Sequence, residues 1–295
     1  MNFTPLAYGE LDLELRPNVR NFVTSSKMVA VVVPMYNRED LTSDEEVSFR
    51  HLVHFLGKYD KYLLVPPKLN IARPGFYLKR FESKYFGSPI ASTRLMLSSQ
   101  FYKAFSDYKY ILIYHLDALV FSDQLLDWCE AGFDYIGAPW LKCAHTPHVT
   151  LERVGNGGLS LRKIESFLKV INSTQYQKDP DQYWRQFCAT NPTYARYLSL
   201  PKKYIKRFRR FNGARWEMSR WHLPSNIRPN EDLFWSDEAI KYYPDFKIAS
   251  VDIGLKFAFE VEPRKCFDRN NRTLPFGCHA WPRYDRSFWE PYLLK

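Results

Sequence analysis

Residues 110–121 read YILIYHLDALVF, an apolar run that two polar side chains interrupt. Its first five residues give the strongest strand signal in the chain. His115 and Asp117 follow, where this strand is expected to leave the sheet. A buried acid costs free energy unless it binds something. Asp117 therefore indicates either a cation ligand, which we favour, or a residue that caps the next turn.

The segments on either side predict alternating strands and helices. MVAVVVP, residues 28–34, is typical of a buried parallel strand, and residues 61–65 form a second apolar run. Helices are expected at Ser43–Leu56 and at 92–105, where apolar residues recur on one face, and a short strand at 133–136. This alternation predicts an α/β fold with a mostly parallel central sheet and helices on both faces. Ligands of such sheets bind beyond the carboxyl ends of the strands.

The length and composition predict one domain with a large insertion. The chain has 295 residues, of which 45% are hydrophobic, so residues 1–295 are expected to form a single domain. Residues 173–229 form the expected insertion, because the sequence there becomes polar and rich in Arg, Tyr and Trp. The net charge of +10 favours anionic partners without choosing between nucleotides, nucleic acid and membrane surfaces.

The most basic part of this insertion is residues 201–215, PKKYIKRFRRFNGAR, which contain seven basic residues and no acid. Tyr204, Phe208 and Phe211 recur there at i, i+4 and i+7, so a helix would present them as one stripe flanked by cations. Such a helix suits a membrane surface or another anionic partner. A solvated helix that packs by its aromatic residues would have the same pattern.

The cysteines indicate a reducing compartment. They are odd in number and lack the spacing of a structural zinc site: Cys129, Cys143, Cys188, Cys266 and Cys278. Residues 1–20 mix acidic and basic side chains, so no secretory signal is expected. No apolar run reaches the roughly 20 residues of a membrane-spanning helix. The expected location is the cytoplasm.

Three further motifs contain candidates for chemistry. VGNGGLSLR, residues 154–162, offers glycines that let the backbone approach a ligand, although a generic turn would look the same. Glu231 and Asp232 open a predicted helix, where the helix dipole stabilises carboxylates whether or not one acts as a base. His279, in LPFGCHAW, is either structural or a metal ligand whose obvious partner is Asp117.

Taken in order, seven elements resemble the GT-A glycosyltransferase fold, and more closely a family of glycosyltransferase-like proteins found in microbes and fungi. They are VVVPMYN, the helix with Arg94, YILIYHLDALVF, FDYIGAPW, VGNGGLSLR, NED and PFGCHAW, within residues 31–281. The resemblance implies a Rossmann-like sheet and the transfer of a sugar, typically a hexose, from a nucleotide-diphosphate sugar. A UDP-sugar is the expected donor, and a glycan or a lipid-linked molecule is the expected acceptor.

The resemblance also implies a divalent cation, Mn²⁺ or Mg²⁺. Asp117 matches the last acid of the D-x-D metal signature, and His115 stands where the first acid usually lies. That first acid commonly contacts the ribose or the metal, which leaves the partner of His115 open. His279 is similar to the C-terminal histidine that helps to hold the cation and the diphosphate.

Donor binding and catalysis are assigned by the same resemblance. Glu231 and Asp232 match the x-E-D motif, whose last acid is the general base of inverting members, so Asp232 is the expected base. Glu231 is expected as its neighbour or as a ligand of a sugar hydroxyl. A retaining route stays open, because sequence spacing does not give the distance to the anomeric carbon. The expected donor-binding residues are Pro34, Tyr36, Asn37, Arg38, Arg94, His115, Asn156, Gly157 and Gly158.

Two other functions compete with this interpretation. A non-catalytic nucleotide-sugar or glycan-binding scaffold would explain the replaced first acid at His115. A nucleic-acid-binding protein would explain the net charge but not Asp117 and Asp232, so no nucleic acid partner is expected. For a transferase, residues 201–215 are the expected contact with a lipid-linked acceptor at the inner face of a membrane.

Overall fold

A computed structural model of the chain describes residues 27–35, 38–147, 149–221 and 230–294. Tyr36 and Asn37, two of the expected donor-binding residues, lie outside the described residues. So do residues 1–20, on which the signal-peptide prediction rests, and residues 222–229 at the end of the insertion.

Strands and helices alternate through the part of the chain that forms the central sheet. The strands are β1 Lys27–Pro34, β2 Asp60–Val65, β3 Phe76–Arg80, β4 Tyr108–Tyr114, β5 Leu119–Val120, β6 Tyr135–Gly137, β7 Pro139–Trp140, β8 Arg153–Val154, β9 Leu159–Lys163, β10 Ala258–Phe259 and β11 Gly277–Cys278. The helices are α1 Ser43–Leu56, α2 Pro89–Met96, α3 Ser99–Lys103, α4 Leu125–Glu130, α5 Ile164–Ile171, α6 Pro180–Thr190, α7 Thr193–Leu198, α8 Leu200–Ile205, α9 Ala214–Arg220, α10 Glu231–Leu233, α11 Ala239–Tyr242, α12 Val251–Phe257, α13 Pro263–Arg269 and α14 Arg286–Trp289. Short 3₁₀-helices lie at Ser83–Tyr85, Arg209–Phe211 and Glu290–Tyr292, and a π-helix lies at Phe234–Glu238.

The central six-stranded sheet has the order β3-β2-β1-β4-β9-β6 within the described residues. Strands β1 to β4 are parallel, and β9 runs antiparallel to both of its neighbours. The predicted α/β fold with a mostly parallel sheet is confirmed. The reversal of β9 pairs its first residue, Leu159, with Tyr114 at the carboxyl end of β4. As a result, the glycine-rich loop before β9 enters the sheet directly beside His115.

Helices cover both faces of the sheet, because alternate residues of each strand point to opposite sides. In β1, Val29, Val31 and Val33 belong to one buried cluster with residues of α1 and α4. Ala30 and Val32 belong to a second cluster with residues of α2, α3 and α5. A strand that is buried on both faces has to be continuously apolar, which explains the run MVAVVVP.

Helix α1 has the predicted bounds, whereas the helix expected at 92–105 is two helices. In α1, Thr42 and Glu45 form a capping box in which each side chain accepts a hydrogen bond from the backbone N–H of the other. Ser98 breaks the second helix, since its backbone is extended and its hydroxyl accepts from Phe101 N at 3.2 Å. Serine at this position caps α3 instead of continuing α2.

The segment expected as an insertion is largely helical over its described residues, 173–221, but the single helix expected from the stripe at 201–215 is wrong. Helix α8 ends at Ile205, and a 3₁₀-helix and then α9 follow it. Tyr204, Phe208 and Phe211 are 57%, 62% and 38% exposed, so they do not pack into the core either. The chain turns because the buried Asn212 donates to the backbone oxygens of Lys178 and Lys206, and this tertiary contact overrides the helical spacing.

Every described helix is too short or too polar to span a bilayer. The five cysteines are free thiols, and Cys129, Cys266 and Cys278 are buried.

Candidate functional site

Three side chains that can bind metal meet at the carboxyl end of β4. His115, Asp117 and His279 each present one donor atom, and these atoms lie within 4.8 Å of one another. His279 Nε2 is 3.3 Å from Asp117 Oδ1, and the two imidazole rings are 5.5 Å apart between centroids. Asp117 and His279, which the sequence analysis expected to be partners, are therefore neighbours. The Asp117 side chain does not cap a turn into α4, which starts only at Leu125.

A second, three-stranded sheet of order β10-β11-β5 brings these residues together. Strand β11 is antiparallel to β5, with Cys278 opposite Leu119. One residue further along this register, His279 lies opposite Ala118 and therefore beside Asp117. Two backbone hydrogen bonds hold the segment: His279 N donates to Phe259 O at 2.9 Å, and Trp281 N donates to Asp117 O at 3.2 Å.

Glu260, which the sequence analysis missed, orients the ring of His279. Its Oε1 lies 3.0 Å from His279 Nδ1 and accepts a hydrogen bond of 2.7 Å from Asn156 Nδ2. A metal-binding histidine commonly has its other ring nitrogen held by a carboxylate in this way. Glu260 follows the short apolar strand β10 just as Asp117 follows β4. An acid that directly follows a buried strand indicates a ligand-binding site, and this criterion selects both Asp117 and Glu260.

The protonation states of the cluster differ between its members. Burial and the neighbouring His279 lower the pKa of His115 to about 4, so its ring is neutral near pH 7 and offers a lone pair. Burial opposes a charge on His279, but Asp117 and Glu260 outweigh it and raise the pKa of His279 to about 10. Burial also acts to raise the pKa of Asp117, yet His279 and His115 bring it below its ordinary value. Without a cation, the cluster is an ion pair beside a neutral imidazole.

We expect the binding of Mn²⁺ to tighten as the pH rises. The proton on His279 competes with a cation for the ring nitrogen, and the pKa of about 10 lies above the neutral range. Each pH unit between about 6 and about 8 should therefore improve the affinity by up to about tenfold. Calorimetry in two buffers of different ionisation enthalpy measures both the affinity and the proton release. A pH-independent affinity without proton release would show that His279 is not a ligand.

The glycine loop connects the cluster to the acidic pair. Gly158 O accepts a hydrogen bond of 2.8 Å from His115 N, and Gly157 N donates to Asp232 Oδ2 at 3.3 Å. Asn156 is buried, and its Oδ1 accepts from Gly158 N at 2.9 Å while its amide nitrogen holds Glu260. The loop residues expected to face the sugar thus lie between the two sets of candidate catalytic side chains, and Asn156 itself supports the loop.

Gly158→Ala is expected to disrupt the cluster, because an added Cβ would lie 2.0 Å from His279 Nε2. We expect a loss of about 1–3 kcal/mol in the free energy of unfolding, together with weaker metal binding. Denaturant unfolding and a Mn²⁺ titration measure the two effects. In the His279→Ala background the clash is absent, so the same glycine substitution should cost much less. An equal cost in both backgrounds would contradict this contact.

Glu231 is half of a buried ion pair. Its Oε1 accepts a hydrogen bond of 2.8 Å from a guanidinium nitrogen of Arg162, whose side chain is completely buried. Arg162 also donates to Ser160 Oγ at 3.0 Å and to Tyr102 Oη at 3.2 Å. The sequence analysis gave Arg162 no role, although a basic residue that ends the apolar segment VGNGGLSLR was a visible signal. Glu231 is therefore held in one orientation.

Asp232 has a different environment from Glu231. Only 7% of the residue is exposed, and its Oδ1 accepts from Leu233 N at 2.9 Å. Burial, followed by repulsion from Glu231 and Glu260, raises the pKa of Asp232 well above its ordinary value. A raised pKa makes the carboxylate a stronger base, which is the property that a general base requires. The π-helix that follows α10 places Phe234 and Trp235 in the core behind it.

The remaining expected donor-binding residues lie at the same edge of the sheet or beside it. The parallel register that pairs Val32 with Ile113 sets Pro34 level with His115. The guanidinium of Arg38 lies 2.6 Å from both carboxylate oxygens of Glu45. Arg94 is exposed on α2, a helix that contacts α10.

The fold and the cluster together define an α/β protein with a candidate metal centre at the carboxyl edge of its sheet. The family model described as "Protein of unknown function (DUF5672)" matches residues 75–279, and the chain belongs to this family. The matched region contains the whole cluster and the acidic pair. No curated protein matches the chain.

One solved structure with a distant likeness is a complex of the catalytic domain of Drosophila β1,4-galactosyltransferase 7 with xylobiose. The sequence identity is 17% and the TM-score 0.28, over 54% of this chain. The match spans 58% of the length of that structure.

Proposed function

We propose that this chain is a metal-dependent glycosyltransferase that moves a sugar, typically a hexose, from a nucleotide-diphosphate sugar to a glycan or lipid-linked acceptor. One observation supports this proposal most: the loop Asn156–Gly158 links the metal-capable cluster at Asp117 to the buried carboxyl of Asp232. Displacement at an anomeric carbon needs both parts. One neutralises the departing diphosphate, and the other removes the proton of the attacking hydroxyl.

The side chains of the cluster fit a divalent cation. The Asp117 side chain is 41% exposed and therefore accessible to a ligand, and the ring of His115 is neutral. Glu260 orients His279 through the ring nitrogen that faces away from Asp117. Two imidazoles and one carboxylate suit a transition metal such as Mn²⁺ better than Mg²⁺. Three protein donors leave coordination positions for diphosphate oxygens and water. A cation bound here would supply positive charge to the leaving group.

Asp232 acts as the base in this proposal. Gly157 N and Leu233 N each donate to one of its oxygens, which fixes the carboxyl, and each oxygen keeps a lone pair for an acceptor hydroxyl. Its raised pKa favours taking up the proton as the hydroxyl attacks. Attack from the side opposite the diphosphate inverts the anomeric carbon. Arg162 holds Glu231 in place beside the base.

The proposed donor site lies along the edge of the sheet next to the cluster. Pro34 ends β1 there, and Arg94 lies on α2, a helix that contacts α10, where Glu231 lies. A uridine diphosphate sugar is the proposed donor. The insertion that precedes Asp232 in the chain is the proposed acceptor side.

A thermal-shift screen of nucleoside diphosphates and nucleotide sugars tests this function. It is run with Mn²⁺, Mg²⁺ or Fe²⁺ and with EDTA, since imidazole and carboxylate donors also suit iron. We expect a nucleoside diphosphate plus Mn²⁺ to stabilise the protein more than either alone, by about 2.7 kcal/mol at 100 times the dissociation constant. The absence of stabilisation by every nucleotide, with and without metal, would remove the proposal.

A non-catalytic nucleotide-sugar-binding role is the second candidate, and one observation favours it. His279 is held between Asp117 and Glu260, so the cluster is satisfied electrostatically without a cation. Donor binding without hydrolysis or transfer of any nucleotide sugar would support this role instead.

A further inference from the structure

A cavity of about 590 Å³ lies in the insertion, between the end of α5 and residues 209–219. This volume suits a small-molecule ligand. Arg209, Arg210 and Arg215 line it together with Trp216, and no described lining residue is acidic. The remaining lining residues include three hydroxyl-bearing side chains: Ser173, Thr174 and Ser219.

The wall that contains the arginines is anchored in the fold. Asn212 is completely buried and donates to Lys178 O at 2.7 Å and to Lys206 O at 2.8 Å. Gln177 N donates back to Asn212 O at 2.8 Å. On the other side, Ala214 and Met218 belong to the core cluster that contains α5. The backbone that bears these arginines is therefore fixed by the fold.

Within the described residues, the positive charges of Arg209 and Arg210 have no carboxylate partner. Residues 182–216 contain nine basic residues and no acid. The guanidinium of Arg215 donates to Asn172 Oδ1 at 2.6 Å. Asn172 also lines the cavity, so this hydrogen bond keeps the Arg215 side chain at the cavity wall. Adjacent exposed guanidinium groups without a carboxylate partner match the oxygens of a phosphate group.

We propose that this cavity binds the phosphate group of an anionic ligand, with Arg209 and Arg210 as its main contacts and Trp216 as an apolar wall. An anionic lipid headgroup and a soluble phosphate ester share this chemistry. The surrounding surface favours the lipid, because Phe208, Tyr204 and Phe211 are exposed, and Phe211 packs on Trp216 at 5.9 Å between ring centroids. This inference goes beyond the proposed sugar transfer and does not require it.

The experiment measures binding to two probes, with EDTA present so that the metal-capable cluster does not contribute. Glycerol 3-phosphate is titrated by calorimetry, and vesicles of phosphatidylglycerol are compared with vesicles of phosphatidylcholine by sedimentation. The cavity variant is Arg209→Gln/Arg210→Gln. The matched control is Arg185→Gln/Lys202→Gln, which removes two exposed positive charges of the same insertion outside the cavity.

We expect the cavity variant to bind about tenfold more weakly or worse, and the control variant to bind like the wild type. Both should unfold at the wild-type temperature, since the substituted side chains are exposed. If the cavity variant loses binding to phosphatidylglycerol vesicles, the ligand is an anionic lipid. If the wild-type protein binds glycerol 3-phosphate but not the vesicles, the ligand is a soluble phosphate ester. Equal losses in both variants would mean general electrostatic attraction and overturn the cavity site. So would a wild-type protein that binds neither probe.

Discussion

Asp117→Asn is expected to abolish the joint binding of Mn²⁺ and a nucleoside diphosphate. Asp117 is the carboxylate of the three-residue cluster, and an amide keeps its shape but lacks the charge that holds a cation. We expect the dissociation constant of uridine diphosphate in the presence of Mn²⁺ to rise by about 100-fold or more. Isothermal titration calorimetry measures it directly.

The matched control for this variant is Asp123→Asn. Asp123 is another partly exposed aspartate shortly after β4, and it pairs with Lys58 instead of a histidine. Its replacement should leave nucleotide binding unchanged. The free energy of unfolding should change little in Asp123→Asn, because solvent screens its surface pair with Lys58. Nucleotide binding by Asp117→Asn with wild-type affinity would disprove the role of Asp117.

Asp232→Asn is expected to retain donor binding and to lose sugar transfer. The amide preserves the hydrogen bonds with Gly157 and Leu233 only in part, but it removes the base. A positioned general base contributes about 10²–10⁴-fold to a rate, so we expect a fall in kcat of that size with little change in the affinity for the donor. Single-turnover transfer assays together with donor titrations separate the two quantities.

Asp237→Asn serves as the comparison for Asp232. Asp237 lies in the π-helix just after α10 and pairs with Arg153 at the surface. It should keep wild-type transfer. A wild-type kcat in Asp232→Asn would show that Asp232 is not the base. So would a variant that binds the donor more weakly but transfers sugar at the normal rate once the donor is bound.

The sequence predicted β1 and β4, the two middle strands that bear the site, because both are buried on both faces. Residues 28–34 and 110–114 have to be apolar throughout, and few alternatives fit such runs. The partnership of Asp117 and His279 was also predictable, since both interrupt apolar segments. Helix breaks were less predictable: Ser98 caps a helix in the middle of an apparently continuous pattern. At 201–215, the contacts of the buried Asn212 outweigh the local spacing.

The supporting residues of the candidate site were missed because their roles depend on tertiary neighbours. Nothing local in sequence states that Glu260 contacts His279 or that Arg162 pairs with Glu231. Trp235 and Trp281 lie close to the motifs in sequence, but both are completely buried and cannot stack on a sugar. Burial of a large aromatic residue is set by the packing of several elements, which motif spacing does not report.

The central claim is that His115, Asp117 and His279 bind one divalent cation. Anomalous diffraction from crystals grown with MnCl₂ and uridine diphosphate tests it most directly. We predict a manganese peak within coordination distance of Asp117 and His279, with diphosphate oxygens completing its shell. A bound nucleotide with no peak between these side chains, or a peak elsewhere on the protein, would contradict it.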